Sequence, residues 1–174
     1  MDTANFFEKL EGTWFSQRTT HVVAAQPSQV GQCTLAMTRL AADDPSVINL
    51  CKQFTLDAQK TVFAFRIEQE SRLGTETQPT CRATVMVGLQ SDVVGSGPFL
   101  TQTERESAIA GQYHVSPEAV LTLITETDQL RSEERLWFLN PNLRMRTSLV
   151  KRADGLQISS FCSEIRRMVT QPAS

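Results

Sequence analysis

The chain has 174 residues, of which 40% are hydrophobic and 21% are charged, and its formal net charge is −2. This size and composition fit one soluble domain that can bury a hydrophobic core without the help of disulfide bonds. The small net charge excludes a general attraction to nucleic acid or anionic membranes, and no apolar run approaches the ~20 residues that cross a bilayer.

Helical periodicity is confined to two short segments. The first predicted helix covers residues 3–11, with Thr3 as its N-cap. The second covers residues 43–54, where Asp44 can act as the cap. Pro45 then falls at the first helical position, where its missing N–H costs nothing.

Most of the remaining chain has the polar–apolar alternation that is typical of β-strands. The predicted strands cover residues 12–23, 33–40, 61–68, 81–89, 107–115, 119–127, 130–139, 143–152 and 156–165. Short links predict that the last four are antiparallel neighbours, and Asp154-Gly155 is typical of a tight hairpin. Residues 95–98, Gly-Ser-Gly-Pro, are interpreted as a turn. The pattern predicts an all-β antiparallel sandwich or closed barrel, and about eight strands in a ring leave room for one small ligand.

The cysteines and histidines predict neither disulfides nor a metal site. The four cysteines are widely scattered and include no Cys-x-x-Cys pair, and the first twelve residues lack the pattern of a signal peptide. We therefore expect free thiols in a reducing compartment, the cytoplasm. His21 and His114 are far apart in sequence, so zinc is not expected, and His21 is interpreted as a surface residue of its strand.

The strand at residues 143–152 raises the question of where its arginines point. Arg144 and Arg146 share one side of the strand, and the alternation alone favours a side that faces water. The opposite side carries Thr147 and Lys151, so it is not clearly the apolar side that would face a core. The orientation therefore stays open at this point.

Neighbouring strands also carry mixed faces. Residues 132–139 place large apolar side chains on both sides, Phe138 on one and Trp137 on the other, as the wall of a barrel with a mixed interior would. Arg18 and Glu164 lie on the first and last strands. Each can be a solvated side chain, or the two can form a structural ion pair where these strands meet.

An inward orientation of the arginines has a specific chemical meaning. A guanidinium matches a carboxylate with two parallel hydrogen bonds, each charge-assisted bond contributing about 1.5–3 kcal/mol. Arg144 and Arg146 stand ~7 Å apart along an extended strand. They could hold two carboxylates of one ligand, or grip one carboxylate from both sides.

Three segments together are specific enough to indicate a family. They are FFEKLEGTWFSQRTTH at residues 6–21, the segment 121–152 that contains ERLWFLNPNLRMRTS, and SFCSEIR at residues 160–166. They resemble the S-type phycobiliprotein lyases (CpcS/CpeS). The resemblance extends from about residue 6 to about residue 168, with a looser middle. It implies a single bilin-binding domain over residues 1–174, an antiparallel lipocalin-like and fatty-acid-binding-protein-like barrel.

The resemblance also implies a reaction. Members bind a linear tetrapyrrole (bilin), here phycocyanobilin or phycoerythrobilin, and attach it through a thioether to a cysteine of a phycobiliprotein alpha or beta subunit. No metal or cofactor beyond the bilin is expected, nor any contact with nucleic acid or insertion into a membrane. The expected location is the cyanobacterial cytoplasm or plastid stroma, and the protein could act alone, as a homodimer, or with a related lyase subunit.

The family's binding positions correspond to six residues of this chain. They are Arg18, Glu134, Arg144, Arg146, Ser148 and Glu164. The arginines suit the two propionates of the bilin. A carboxylate, Glu134 or alternatively Glu164, would hold the pyrrole N–H groups, favour the protonated chromophore and assist proton transfer.

One departure from the family concerns aromatic stacking. A tryptophan is frequent near the third long strand, and residues 61–74 of this chain contain none. Phe63 and Phe65 are partial substitutes, and Trp137 is another candidate for binding the ligand. Two other functions remain open: a non-catalytic carrier of a bilin or another amphipathic carboxylic acid, and a structural partner in pigment-complex assembly with a packed interior.

Overall fold

A computed structural model describes residues 3–23 and 27–168. In these residues ten antiparallel strands close into one barrel, in which each strand pairs with the next along the chain and the last pairs with the first. The strands are β1 Gly12–Val22, β2 Gln29–Arg39, β3 Thr61–Leu73, β4 Thr80–Leu89, β5 Ser96–Thr103, β6 Ile109–Val115, β7 Leu121–Glu126, β8 Leu130–Asn140, β9 Leu143–Arg152 and β10 Gln157–Arg166. The predicted all-β antiparallel barrel is confirmed.

The strand β5 was missed by the sequence prediction, because its first half has the composition of a turn. Gly97 lies inside this strand, where an added Cβ would meet the carbonyl oxygen of Leu89 at 2.0 Å. Pro98 is tolerated because pairing with β4 begins only at Phe99, so its missing N–H leaves no bond to β4 unmade. The predicted turn at residues 95–98 is therefore wrong beyond Gly95.

Both predicted helices form, with shorter bounds. They are α1 Thr3–Glu8 and α2 Pro45–Gln53, and a 3₁₀ turn follows at Ala58–Lys60. Asp44 caps α2 as predicted, its carboxylate accepting from the backbone N–H of Ser46 at 2.8 Å. Within residues 3–23 and 27–168, neither helix has the length and apolar character needed to span a bilayer.

The helix α1 closes one end of the barrel. Its Phe6 and Phe7 are fully buried among inward side chains of the strands. The ring of Phe7 stacks on Phe63 with 4.0 Å between centroids, and Phe6 meets Phe138 edge-on at 5.4 Å. We call Phe6, Phe7 and Leu10 the plug. Because the described residues fill this end, the space for a ligand lies toward the opposite end.

The opposite end of the barrel, which we call the mouth, is bounded by the turns at residues 74–79, 104–108, 127–129 and 153–156. The predicted Asp154-Gly155 hairpin is one of these turns, and Gly155 has the positive φ of 88° that favours glycine there. The helix α2 lies outside the barrel, where Val47, Leu50 and Cys51 pack on outward residues of β3, β4 and β5. It therefore leaves the interior free.

Candidate functional site

A cavity of about 390 Å³ lies between the plug and the mouth. This volume is near the lower end of the ~300–1,000 Å³ that is usual for small-molecule sites. One wall, from β1, β8 and β9, is charged and carries Arg18, Glu134, Arg144, Arg146 and Ser148. Hydroxyl groups line the cavity on β4, β5 and β7, namely Thr84, Thr101, Thr103 and Thr125, and Ser132 adds one more on β8. Apolar side chains line the rest of the cavity, namely Leu10, Leu35, Met37, Ile67, Met86, Phe99, Leu121, Leu123 and Leu136. The cavity therefore suits an amphipathic ligand that carries an anionic group.

The arginines of β9 point into the barrel, and the deeper one is fully enclosed. Arg144 is 1% exposed and Glu164 is 0% exposed. The Nε–H of Arg144 donates to Oε2 of Glu164 at 2.5 Å. The two residues are directly opposite each other in the register of β9 and β10, so the pairing of the strands sets this contact. The inward orientation considered from the sequence is thus the one found.

Apolar groups hold the rest of the Arg144 side chain. Its guanidinium carbon lies 4.1 Å from the centroid of the Trp14 ring, which is close enough for a cation–π interaction. Its two terminal nitrogens face the Met37 sulfur at 3.4 and 3.5 Å. Trp14 is fixed in turn, because its indole N–H donates to the carbonyl of Leu10 at 3.0 Å. Arg144 is therefore clamped into the floor of the cavity.

The second arginine of β9 bridges two carboxylates. Arg146 donates from Nη2 to Oε1 of Glu164 at 2.7 Å and from Nη1 to Oε1 of Glu134 at 3.2 Å. Its side chain is 17% exposed and that of Glu134 is 35% exposed, so both reach the open part of the cavity. The Nε atom of Arg146 is buried and has no partner within the described residues. This N–H is enclosed by the protein, so it is not open to a ligand in the cavity.

The pKa values follow from burial opposed by these pairings. Burial lowers the pKa of Arg144 to about 10 despite the nearby Glu164, so it stays protonated at neutral pH. Burial also acts to lower the pKa of Arg146, but Glu164 and Glu134 outweigh it and the pKa is raised. Burial alone would raise the pKa of Glu164, yet the two guanidinium groups hold it below its ordinary value. Arg144, Arg146 and Glu164 are therefore charged near pH 7.

Arg18 has a different environment. It lines the cavity on β1, and its Nε–H donates to the thiol sulfur of Cys162 at 3.4 Å. The sequence left open an ion pair between Arg18 and Glu164. It does not form, because both oxygens of Glu164 accept from the arginines of β9. Within residues 3–23 and 27–168, Arg18 has no carboxylate within salt-bridge distance.

The charges on this wall can be compared directly. Arg144 and Arg146 carry two positive charges, which Glu134 and Glu164 balance with two negative charges. Arg18 then adds one positive charge that no carboxylate of the described chain neutralises. The wall therefore favours an anion close to Arg18.

The aromatic residues that the sequence suggested as ligand contacts do not line the cavity. Trp137 is on the side of β8 opposite to Glu134 and does not line the cavity, and its partner across the sheet is Met145. Phe63 and Phe65 are buried in the core beside the plug and do not line the cavity either. His21 is outside as expected, with its Nδ1 3.3 Å from the hydroxyl oxygen of Ser28. The structure does not bring these side chains to the ligand space.

The sequence prediction missed several residues of the site. Phe99 is the aromatic residue among the cavity-lining side chains, and it lies on β5, the strand whose first three residues were interpreted as part of a turn. Arg82 on β4 also lines the cavity, close to the mouth. The alternation of β4 could have shown that Arg82 shares a side with Thr84 and Met86, but the direction of that side follows only from closure of the barrel.

A closed ten-stranded barrel with an internal network of arginines and glutamates defines a small ligand-binding protein with a lipocalin-like fold. The model of the CpeS-like protein family matches residues 2–167, and the chain belongs to this family.

Named relatives agree with this assignment. A protein of Thermosynechococcus vestitus named "Chromophore lyase CpcS/CpeS" is 40% identical over 100% of this chain and 97% of its own length. The "Phycocyanobilin lyase subunit CpcS" of a Picosynechococcus strain is 30% identical over 99% of this chain and 89% of its own length. The solved S-type phycobiliprotein lyase CPES of Guillardia theta is 29% identical, with a TM-score of 0.87 over 98% of this chain and 95% of that one.

Proposed function

We propose that this protein is a bilin lyase, which binds a linear tetrapyrrole and attaches it through a thioether to a cysteine of a phycobiliprotein alpha or beta subunit. The observation that carries the proposal is the network of Arg144, Arg146, Glu134 and Glu164, which faces a closed-bottomed cavity in a chain of the CpeS-like family. Residues 1–174 act as one such domain, in the cytoplasm or plastid stroma. Phycocyanobilin and phycoerythrobilin are the two bilins to test.

The reaction needs no oxidant. The thiol of the acceptor cysteine adds to the ethylidene group of ring A of the bilin, so that a C–S bond forms while the π bond breaks. The thiol proton leaves the sulfur, and a proton is added to the conjugated system of the bilin. Because the nucleophile belongs to the acceptor, the four free cysteines of this chain need not react. The lyase accelerates the addition by holding and orienting the bilin.

Glu134 and Arg146 are the groups best placed to contact the bilin. Glu134 reaches the open cavity, and its carboxylate keeps an oxygen for pyrrole N–H groups while the other accepts from Arg146. A carboxylate there favours the protonated chromophore and can pass on the proton that the addition requires. Arg146 lines the cavity and can donate from its terminal nitrogens to a lactam oxygen of the bilin, and Ser148 lies beside it on the same wall.

Arg144 and Glu164 have a supporting role in this proposal. Both side chains are buried, and the nitrogens of Arg144 face Glu164 and Met37. Glu164 also accepts from Arg146, so this buried pair fixes the position of Arg146. Arg144 was expected to bind a propionate of the bilin. Arg18 is better placed for this contact, because it lines the cavity and has no carboxylate partner in the described chain.

The geometry also limits how the bilin is oriented. The plug closes one end of the barrel, so the acceptor cysteine can approach only from the mouth. Ring A, which carries the reactive ethylidene group, must therefore lie toward the mouth. A cavity of about 390 Å³ encloses part of a four-ring ligand and leaves that end accessible to the acceptor.

The test is transfer with purified components. The protein is incubated with phycocyanobilin or phycoerythrobilin and then with a phycobiliprotein apo-subunit, and the products are denatured before absorbance is measured. We expect an adduct that stays on the subunit after denaturation and that does not form when the acceptor cysteine is replaced by alanine. A bilin that binds with a red-shifted, sharpened absorbance band but is never transferred would contradict the lyase activity and identify a carrier.

A further inference from the structure

A bilin carries two propionates, so it needs two cationic partners at the site. This inference rests on the proposed function, because it concerns how the same cavity holds its ligand. Arg144 and Arg146 are balanced by Glu164 and Glu134, which leaves Arg18 as one cation available to a ligand. A second available cation must therefore be sought elsewhere on the cavity wall.

Arg82 meets this requirement. It lies on β4, three inter-strand steps of about 4.8 Å from the strand of Arg18, and both side chains line the same cavity. Its register partner on β3 is Gln69, which also lines the cavity. Because a long guanidinium side chain can reach across the mouth from β4, Arg18 and Arg82 approach a ligand from two different sides.

The present partner of Arg82 is an exposed carboxylate. Its Nη2 donates to Oε1 of Glu106, which lies in the turn between β5 and β6 at the mouth. The two side chains are 51% and 52% exposed. Exposed pairs of this kind contribute little to stability, whereas the buried pair of Arg144 and Glu164 cannot open without leaving a charge unpaired. Arg82 can therefore exchange its partner at small cost.

We propose that Arg82 is the second carboxylate-binding residue of this cavity, and that it leaves Glu106 to hold one propionate of the bilin while Arg18 holds the other. Glu106 is then a competitor of the ligand. In the empty protein it neutralises Arg82, and in the loaded protein it is released toward solvent in the turn at residues 104–108. Binding of a diacid thus places a charge contact at the mouth and frees a carboxylate at the rim.

The competition predicts that substitutions of Arg82 and Glu106 change the affinity for the bilin in opposite directions. Arg82→Ala should weaken binding of phycocyanobilin roughly five- to tenfold, because a partly exposed charge-assisted contact is lost. Glu106→Gln should strengthen binding about two- to fivefold, because the competing carboxylate is removed. Neither change should affect phycocyanobilin dimethyl ester, which has no propionate charge. Absorbance titration of each variant with the diacid and with the ester measures all of these affinities.

A matched control exists on the outside of the barrel. Arg66 on β3 pairs with Glu104 over 3.8 Å, and their side chains are 43% and 65% exposed. Arg66→Ala and Glu104→Gln remove similar charges that do not line the cavity. Both controls should bind the diacid like the unchanged protein. An equal effect of Arg66→Ala would show a general charge effect and overturn the assignment to Arg82.

The outcomes separate this inference from the proposed function. If the unchanged protein binds and transfers the bilin while Arg82→Ala and Glu106→Gln bind it normally, the role of Arg82 is refuted and the lyase function stands. If Glu106→Gln weakens binding, the competition is refuted. If the unchanged protein binds neither the diacid nor the ester, the proposed function and this inference fail together.

Discussion

Arg144 and Glu164 form an ion pair with 2.5 Å between Nε and Oε2, and neither side chain is more than 2% exposed. Removing one member of a buried pair leaves the other charge without a partner, which typically costs about 3–5 kcal/mol. We expect Arg144→Ala to lower the free energy of unfolding by roughly this amount. Chemical denaturation monitored by the fluorescence of Trp14 and Trp137 measures it.

The control for this prediction is Arg135→Ala. Arg135 pairs with Glu133 on the outer side of β8, and its side chain is 60% exposed. Its loss should change the free energy of unfolding by less than about 1 kcal/mol. If Arg144→Ala were no more destabilising than this control, Arg144 would be a binding residue rather than a supporting one.

The same pair predicts how stability depends on pH. The pKa of Glu164 is below its ordinary value in the folded protein, so the folded state binds this proton less readily than the unfolded state does. The resulting stabilisation is present above the unfolded pKa of about 4.3 and is lost as pH falls through the lower folded value. Glu164→Gln should therefore be less stable than the unchanged protein at pH 7, by an amount that shrinks toward pH 3.

Denaturation at a series of pH values from 7 to 3 tests this dependence. The control is Glu68→Gln, which changes an exposed carboxylate on the outer side of β3 and should leave the curve nearly unchanged. A constant difference between Glu164→Gln and the unchanged protein over the whole range would contradict the lowered pKa of Glu164.

Arg18 should matter for binding and little for folding. Its side-chain hydrogen bond in the described structure goes to the Cys162 thiol, which is a weak acceptor. Arg18→Ala should therefore change the free energy of unfolding by no more than about 0.5–1 kcal/mol. It should weaken binding of a bilin diacid by about tenfold or more, because one charge-assisted contact is lost.

Titration with phycocyanobilin and with its dimethyl ester distinguishes a charge effect from a change of shape. The loss in Arg18→Ala should be large for the diacid and small for the ester. Arg18→Lys should restore part of the affinity, since it keeps the charge but not the planar fork. An unchanged affinity of Arg18→Ala for the diacid would exclude Arg18 as a propionate partner.

The sequence predicted the fold well because its strongest signals were local. Alternation located nine of the ten strands of the described chain, and Asp44-Pro45 located the start of α2. The missed strand β5 begins with Ser-Gly-Pro, which is typical of a turn. Its Gly97 is required by the close approach of the β4 backbone, a contact between distant residues that no local pattern contains.

The sequence predicted most of the charged residues that form the site, but not which of them are buried supports and which face the ligand. Alternation placed Arg144 and Arg146 on one side of β9, yet it could not distinguish the interior from solvent. The difference between the two arginines arises from Trp14 and Met37, which enclose Arg144 and come from strands far away in the sequence. The orientation of Trp137 could be predicted from the sequence. Trp137 and Glu134 are an odd number of residues apart on one strand, so they point to opposite sides, and Trp137 does not line the cavity.

Glu134 is the carboxylate expected to hold the protonated bilin. An opposite charge within ~4–6 Å raises the pKa of a bound cation by about one to three units, so removing it lowers that pKa. In Glu134→Gln the bound phycocyanobilin should therefore lose its proton about one unit lower in pH than in the unchanged protein, given the partial exposure of this side chain. Transfer to the acceptor subunit should also be slower. Absorbance of the bound bilin as a function of pH, and the rate of adduct formation, measure the two effects.

Glu133→Gln is the matched control for this change, because Glu133 is the next residue on the same strand and pairs with Arg135 on the outer side. It should leave both the bilin titration and the transfer rate unchanged. The fold should survive in Glu134→Gln, since Arg146 keeps its contact with Glu164 at 2.7 Å. A Glu134→Gln variant with the titration midpoint and transfer rate of the unchanged protein would remove Glu134 from the reaction.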